Sequence, residues 1–331
     1  MIVPRHWAEA RLQHREGRRS VTVRRFGWSD ESEAQAQAHA EVRAREALDR
    51  VLAGEALPRN ERRVAYNGAD GMPIREEIVD RQGDAVVTRN GYGALCLNTP
   101  DLLFADIDFA VRADRRHLGA WRLAAGVLVA AAILALPSAS PARFVVAIVI
   151  GALGGLIGGG TLSVLWRRLR IGLGGGFEAQ ARRRIADFLA TRPDWRLRVY
   201  RTPAGVRLMA VHRPFDPCEP AVREAFEALD VDPVFARMCF NQRCFRARLT
   251  PKPWRIGLQR LRPPYSAAWE PRHALLPARQ AWIEAYQRRA AGYAACRYLE
   301  TLGDGTEAPA LAAQREFHDL VCAAERDLPL A

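Results

Sequence analysis

The strongest hydrophobic pattern in the chain is an uncharged apolar run at 144–166. At a rise of about 1.5 Å per residue, a helix of this length exceeds the roughly 30 Å hydrocarbon core of a bilayer. A shorter apolar run at 123–136 precedes it, and the segment 137–143 between them is too short to form a domain. The pattern therefore predicts a two-helix transmembrane hairpin at 118–166. The alternative is a helical hairpin buried in the core of a soluble protein.

Glycines recur at every fourth position of the second run, at Gly151, Gly155 and Gly159. Small residues at this spacing form a flat helix face that lets another helix approach closely. We expect the alanine-rich first helix to pack against this face, and a loosely packed glycine-rich helix is the alternative. A homo-oligomer formed through the same face is a further hypothesis.

Arginines flank the two apolar runs at their outer ends: Arg112, Arg115, Arg116 and Arg122 precede the first run, and Arg167, Arg168 and Arg170 follow the second. The connecting segment holds only Arg143. Because cytoplasmic segments next to membrane helices are enriched in Lys and Arg, we expect both flanks in the cytoplasm. The prediction is a two-pass protein of the cell (inner) membrane with both termini cytoplasmic. Its expected partners are the lipid bilayer and anionic lipid headgroups.

Strand and helix patterns follow one another in the part before the hairpin. A strand at 20–28 precedes a helix that begins at a capping box of Asp30 and Glu33 and ends near Gly54. Four successive strand patterns then lie within 74–109, with a turn signal at Asn90-Gly91. Such a meander predicts an antiparallel sheet.

The part after the hairpin continues the α+β pattern. Its predicted elements are a helix at 177–191, strands at 196–201 and 206–212, a helix at 219–237, a strand at 244–249 and tail helices at 278–302 and 308–326. With 102–109 as the first strand, the order up to 249 is β-α-β-β-α-β, the ferredoxin-like arrangement, in which the first and last strands are antiparallel neighbours. We therefore expect an N-terminal part (1–117) and a C-terminal part (167–331) to fold together into one cytoplasmic domain that the hairpin interrupts.

The net charge and the cysteines indicate which ligands the chain could bind, but they do not change the predicted fold. The net charge is +12 with a pI near 10.2, and Lys252 is the only lysine. A basic surface attracts both anionic lipids and nucleic-acid phosphates. The cysteines show neither a CxxC pair nor a Cys/His group at zinc spacing, so the sequence signals no structural metal site and no redox dithiol.

The sharpest candidate for chemistry is the strand LLFADIDF at 102–109. Strand alternation places Asp106 and Asp108 on one face, about 7 Å apart. Such a carboxylate pair can hold magnesium or manganese together with substrate phosphates. The strand is therefore a candidate site for a divalent metal ion.

This strand, the helix that follows and the hairpin VYRTPAGVRLMAVHR resemble the catalytic core of archaeo-eukaryotic-type primases. The resemblance covers 102–212 without the apolar hairpin, and its motifs are a hydrophobic DxD strand and a Thr/Ser-x-x-Gly turn. It implies that Asp106 and Asp108 are the metal carboxylates and that Thr202 and Gly205 form the phosphate-side turn. Arg207 lies near the position of the family's histidine.

Three arginines are candidates for binding phosphate or another anion. Besides Arg207, the last strand carries Arg246 and Arg248, where the resemblance calls for a third acidic residue. If the first and last strands are neighbours, however, these two arginines form cross-strand ion pairs with Asp106 and Asp108. We favour such structural ion pairs over a metal site, because carboxylates in an arginine-rich chain most often contact arginine.

A basic and aromatic stretch at 237–265 is a second candidate binding surface. Its rings, Phe240, Phe245, Trp254 and Tyr265, lie among arginines and could stack on bases. Phe245 alternates with apolar residues and is expected in the core. We favour a solvated basic face near anionic lipid over a nucleic-acid groove.

Two functional hypotheses follow from these patterns. The favoured one is a membrane-anchored binding or scaffold module without catalytic activity. The other is a metal-dependent enzyme that handles nucleotides or nucleic acid through Asp106 and Asp108, with magnesium or manganese as its cofactor.

Overall fold

The computed structural model describes residues 3–17, 19–62, 72–111, 117–137, 141–262 and 268–331. Arg112, Arg115, Arg116, Tyr265 and part of the 137–143 segment lie outside these residues. The chain is a mixed α+β protein of two units. The first unit comprises Met1–Ile107 and Thr191–Ala331, and the second comprises Asp108–Ala190.

The described part of the chain forms ten strands and eight α-helices. The strands are β1 (His6–Glu16), β2 (Arg19–Ser29), β3 (Glu77–Gln82), β4 (Ala85–Arg89), β5 (Leu95–Thr99), β6 (Phe104–Asp108), β7 (Leu197–Thr202), β8 (Gly205–Ala210), β9 (Phe245–Arg248) and β10 (Arg297–Leu302). The helices are α1 (Glu33–Leu52), α2 (Leu118–Leu134), α3 (Ala142–Leu173), α4 (Gly176–Ala190), α5 (Pro220–Ala228), α6 (Pro233–Gln242), α7 (Pro277–Ala290) and α8 (Pro309–Cys322).

The N-terminal segment is an antiparallel hairpin of β1 and β2 covered by α1. Alanines at helical spacing bury one face of α1, and at Gly27 a Cβ atom would lie 2.2 Å from the Ala36 carbonyl oxygen. The predicted strand and helix are confirmed, although Ser32 rather than Asp30 caps α1, by accepting a hydrogen bond from the Gln35 N–H. β1 was not predicted, because its charged residues have the composition of a basic tail.

The four strands predicted within 74–109 are observed as β3 to β6, but they do not form one sheet, because β3, β4 and β5 lie in the first four-stranded sheet and β6 lies in the second. The first sheet has the order β3-β4-β5-β9, with antiparallel pairing throughout. The prediction that the first and last strands of a ferredoxin-like sheet are neighbours is wrong, because β9 pairs with β5 and not with β6. Alternation of apolar residues in β9 fixes which face is buried, but it does not specify the neighbouring strand.

The second four-stranded sheet has the order β10-β7-β8-β6. β7 and β8 form an antiparallel hairpin, and β10 pairs antiparallel with β7. Every residue of β8 is buried, so this strand lies at the centre of the packed part of the first unit. The candidate site is built on β8 and its neighbour β6.

Two predicted helices differ from the observed ones. The helix predicted at 219–237 is divided into α5 and α6, because Asp230 has a φ of 56° and Pro233 begins a new helix. The helix predicted at 278–302 ends at Ala290, and its last part is β10. The aromatic residues of this segment have helical spacing, which predicted one continuous helix, so the strand at its end was missed.

In the second unit, α2 and α3 pack against each other as antiparallel helices. Gly151, Gly155 and Gly159 all face α2, and a Cβ atom at Gly155 would lie 2.4 Å from the Arg122 carbonyl oxygen. On the other side of the contact, Gly126 approaches the backbone of Gly151. The close approach of the two backbones therefore requires glycine at these positions.

Within the described residues, α3 alone is long and apolar enough to cross a membrane, with 32 residues and a mean hydropathy of 2.1 over its most apolar window. α2 is also apolar but has only 17 residues, so the structure does not support a second crossing. The large apolar side chains of both helices are exposed, for example Leu123 and Ile148 at 70% and Ile157 at 82%.

Candidate functional site

Arg207 is a charged side chain in the middle of the buried strand β8, with only 4% of the side chain exposed. A buried guanidinium requires partners, because removing it from water is costly. Its Nε and Nη2 donate to the two carboxylate oxygens of Asp106 at 2.9 and 3.2 Å. Its Nη1 donates to the Arg248 carbonyl oxygen at 2.9 Å and lies 3.4 Å from His318 Nε2. Arg207 thus connects both four-stranded sheets with α8.

Asp106 on β6 is the partner of Arg207 and keeps 38% of its side chain exposed. Burial opposes ionisation of the carboxyl group, but the charge and hydrogen bonds of Arg207 outweigh it and hold the Asp106 pKa below its usual range. The carboxylate is therefore ionised at neutral pH and neutralised by a bidentate contact. A cation at Asp106 would have to compete with this guanidinium.

On the far side of Arg207, two adjacent residues of α8 extend the polar cluster. Asp319 Oδ1 lies 2.9 Å from His318 Nδ1, and Asp319 Oδ2 accepts a hydrogen bond of 2.7 Å from Arg198. His318 is fully buried, which disfavours its charged form, but hydrogen bonds with Asp319 and Cys296 outweigh burial and raise its pKa. The rings of Phe104 and Tyr200 pack against the imidazole, with ring centroids 5.2 and 5.1 Å from it.

Two cysteines complete the cluster around His318. The sulfur atoms of Cys296 and Cys322 and a ring nitrogen of His318 all lie within 4.8 Å of one another, and all three residues are buried. Hydrogen bonding from Cys322 lowers the pKa of Cys296, whereas burial and the same neighbour raise the pKa of Cys322. The pKa values of the two neighbouring thiols are therefore shifted in opposite directions.

The arginines of β9 do not contact the two aspartates in the way that the sequence predicted. Arg246 donates to the buried carboxylate of Glu76 at 2.7 Å and to Asn98 Oδ1 at 2.9 Å. Arg248 contributes its carbonyl oxygen to Arg207. The predicted cross-strand pairs between β6 and β9 are wrong because the two strands are not neighbours. An arginine does neutralise Asp106, but it comes from β8.

The remaining residues of the predicted phosphate site lie at the turn between β7 and β8. Thr202 and Gly205 pair with each other there, and Thr202 Oγ1 accepts a hydrogen bond from the Ala204 N–H. Arg207 follows on the same strand, but its side chain contacts Asp106 rather than the turn. Asp108 is exposed at the end of β6 and belongs to the second unit.

The basic and aromatic stretch is only partly a surface. Phe245 is fully buried, as expected for a core residue, and Phe240 packs against Phe226 with a ring distance of 6.0 Å. Trp254 is 51% exposed and contacts Tyr92 and Lys252. A row of exposed rings for stacking bases is therefore not formed by the described part of this stretch.

No known protein family, curated protein or solved structure matches the chain. The resemblance to primases remains a prediction from the sequence.

Sequence reasoning missed the cluster of Cys296, His318 and Cys322. A usable signal was present, because His318 and Cys322 are four residues apart in a segment correctly predicted to be helical, which places both on one face of α8. Cys296 is more than twenty residues away in sequence, just before β10, a strand that was predicted as helix. Its position beside α8 could not be derived without that strand.

Proposed function

We propose that the protein is an integral-membrane protein in which the helices of Asp108–Ala190 anchor a basic cytoplasmic α+β module that serves in binding or as a scaffold. The observation that carries the proposal is the distribution of side chains on α2 and α3. The faces that meet are glycine and alanine, whereas leucine, isoleucine, valine and phenylalanine lie on the outer surface. This distribution is the reverse of that in a water-soluble helical hairpin.

The exposed apolar surface of the two helices is large enough to require a cover. Leu123, Val127 and Leu128 on α2 are 57–70% exposed, and α3 exposes many more such residues along its length. Each of these side chains gains about 1.5–3 kcal/mol when it is fully removed from water. Soluble monomers rarely expose apolar patches larger than a few hundred Å². Lipid acyl chains would cover this surface, because the outer faces of the two helices are apolar.

We further propose that α2 enters the membrane together with α3, so that the chain crosses twice and both flanks are cytoplasmic. Close packing of α2 along the glycines of α3 supports this arrangement, because separating the helices would lose the van der Waals contacts between their backbones. The arginines that follow the apolar part of α3 support a cytoplasmic location of the flanks. Since α2 occupies the glycine face, that face is not proposed as a site of homo-oligomerisation.

Anionic lipid headgroups are the proposed ligands at the arginine-rich end of α3. A cavity of about 600 Å³ is lined there by Phe109, Arg168, Ile171 and Phe177, among others. The rings of Phe109 and Phe177 are stacked at 5.7 Å. A lipid would place its phosphate group against Arg168 and its acyl chain against the apolar walls of the cavity. Arg168→Gln should lower the amount of anionic lipid that co-purifies, measured by mass spectrometry, whereas the exposed Arg288→Gln should not.

A binding role is favoured over the metal-dependent enzyme because of the contact between Asp106 and Arg207. Both carboxylate oxygens of Asp106 accept hydrogen bonds from the guanidinium. A divalent cation at the same oxygens would face a fixed positive charge at close range. The nucleotide- or nucleic-acid-handling hypothesis therefore has no supporting contact at Asp106.

The membrane proposal is tested by placing a charge on the outer face of α3. Ile157 lies near the middle of the helix and is 82% exposed. Ile157→Arg should disfavour insertion by about 2.5–3.5 kcal/mol if lipid surrounds the residue, and should be nearly neutral if water does. The readout is the amount of full-length protein in the membrane pellet after alkaline washing.

A matched control and a topology assay complete the test. Leu275→Arg changes a residue of the first unit that is 76% exposed and should leave the pellet fraction unchanged. Reporters fused to the two ends should both be active in the cytoplasm. Full-length protein that stays in the supernatant without detergent contradicts the anchor, and reporters in opposite compartments contradict the double crossing.

A further inference from the structure

The cluster of Cys296, His318 and Cys322 has the composition of a metal site. Thiolate sulfur and imidazole nitrogen are the ligands that thiophilic ions prefer, chiefly zinc and copper(I). The three ligand atoms lie within 4.8 Å of one another, and none of the three residues is exposed. Bonds of about 2.0–2.3 Å to a common ion require these atoms to approach to roughly 3–4 Å. The two ligand atoms that lie farthest apart therefore have to approach by at most roughly 1–2 Å when the ion binds.

His318 is oriented in the way that metal-binding histidines are. Its Nδ1 lies 2.9 Å from Asp319 Oδ1, and Asp319 is held in turn by Arg198 at 2.7 Å. A carboxylate that accepts the Nδ1 proton fixes the tautomer with its lone pair on Nε2. The nitrogen that faces away from Asp319, Nε2, then carries the lone pair, and an ion bound there would replace its 3.4 Å contact with Arg207 Nη1. This contact is a second observation, independent of the cysteines, that points to a ligand.

The charge balance of the surroundings accommodates a bound cation. Arg207 is the nearest cation, with Nη1 at 3.4 Å from His318 Nε2, and its charge is already matched by Asp106. The charge of Arg198 is likewise matched by Asp319. Two thiolates would neutralise zinc completely, and with copper(I) they would leave one negative charge beside Arg207. Neither ion leaves an isolated positive charge in the buried cluster.

We propose that Cys296, His318 and Cys322 bind one thiophilic metal ion that fastens α8 to the segment preceding β10. Among the described residues, no fourth histidine, cysteine or carboxylate joins the three ligand atoms at that distance. Structural zinc almost always has four ligands, whereas copper(I) is stable with three. The ligand number therefore favours copper(I), and zinc is the other ion that the same ligands recognise.

The experiment uses the full chain purified in detergent under anaerobic, reducing conditions. Because the ligands are buried, the ion has to load while the protein folds, so cells are grown with added copper or with added zinc. Metal per protein is measured by mass spectrometry after removal of weakly bound ions. We expect close to one ion per chain, with copper in excess of zinc when both are supplied, and a thiolate-to-copper charge-transfer absorption.

Variants separate binding at this cluster from binding elsewhere. Cys296→Ser and Cys322→Ser should lose the ion, whereas Cys239→Ser, which changes a buried cysteine outside the cluster, should retain it. Asp319→Asn should weaken binding by about 10–100-fold, measured by competition with a chelator. The wild-type measurement decides the proposal even if a variant does not fold. Wild-type protein without stoichiometric copper or zinc, or with an ion that Cys296→Ser retains, overturns it.

Discussion

Replacing Asp106 with asparagine tests whether Arg207 depends on this carboxylate. Asp106→Asn keeps the size of the side chain but removes its charge, and it leaves the guanidinium of Arg207 with 4% exposure and no ionic partner. Removing one member of a buried ion pair typically destabilises a protein by about 3–5 kcal/mol. The Asp106 side chain is 38% exposed, so water can reach the contact, and asparagine can still accept one hydrogen bond. We therefore expect a loss of about 2 kcal/mol.

The assay is urea unfolding of the full chain in detergent, followed by tryptophan fluorescence. Glu224→Gln is the matched control, because Glu224 pairs with Arg192 and its side chain is 59% exposed. Its effect should stay below about 0.5 kcal/mol. In the double variant Asp106→Asn/Arg207→Met, the loss should be smaller than the sum of the two single losses by at least about 1 kcal/mol.

The pH dependence of the same variant has a defined sign. The folded protein lowers the Asp106 pKa below its ordinary value of 3.8, so the stabilisation is present above that pH and is lost as the pH falls through the folded pKa. The difference in unfolding free energy between wild type and Asp106→Asn should therefore be constant from pH 7 to 5 and should shrink below about pH 4. A destabilisation below about 0.5 kcal/mol at pH 7 refutes the reasoning.

Metal addition distinguishes the ion pair from the catalytic hypothesis at the same residue. Magnesium or manganese at millimolar concentration should leave the melting temperature of the wild-type protein unchanged, because Arg207 occupies both carboxylate oxygens. A rise in melting temperature that disappears in Asp106→Asn would restore the metal-dependent enzyme as the better hypothesis.

Three further predictions concern other parts of the chain. Gly155→Leu should lower the thermal stability of the helical hairpin in detergent, because a Cβ there meets the Arg122 carbonyl oxygen at 2.4 Å, whereas Gly160→Leu, in open space, should not. Burial, and to a smaller extent the charge of Arg213, lower the pKa of His212 below 6.5, so the unfolding free energy should fall as the pH drops from 7 towards the folded pKa. The unfolding free energy of His212→Asn, measured by urea unfolding at each pH, should change less over this range. An equal pH dependence in both proteins contradicts this prediction. Arg243→Gly at the left-handed end of α6 (φ 48°) should raise the unfolding free energy by about 0.5 kcal/mol, and a decrease contradicts the strain argument.

The strands with two-residue alternation could be predicted from the sequence, and so could the pairing within the hairpins β3-β4, β4-β5 and β7-β8, but the partners of strands distant in sequence could not. β3 to β8 lie close to their predicted positions because β4 to β8 bury one face or both, and because short turns join β3 to β6 with one another and β7 with β8. β9 was placed correctly along the chain but beside the wrong strand, since burial alone does not choose between β5 and β6. β10 was missed because Tyr286, Tyr293 and the residues that follow extend a helical spacing past the end of α7.

The candidate site shows the same division between local pattern and distant contact. The sequence indicated that an arginine would neutralise Asp106, and the structure supplies Arg207 from 101 positions away instead of the predicted residues of β9. His318 and Cys322 share a helix face that could have been recognised, whereas Cys296 depends on the fold of the whole C-terminal part. Contacts between residues that are far apart in the sequence are set by tertiary packing, and the spacing of residues within a short motif does not reveal them.

The pairing of β5 with β9 has a consequence for how the protein is made. The Leu95 N–H donates to Thr250 Oγ1, a residue 155 positions later, and the hydrophobic helices are synthesised in between. At about 5–20 residues per second, a ribosome needs roughly 8–30 s to deliver β9 after β5 has emerged. During that interval β5 has an open edge, which can pair with another chain. The first sheet is therefore completed only after both apolar helices have been synthesised, and we expect the nascent N-terminal half to aggregate more readily when chaperones are depleted.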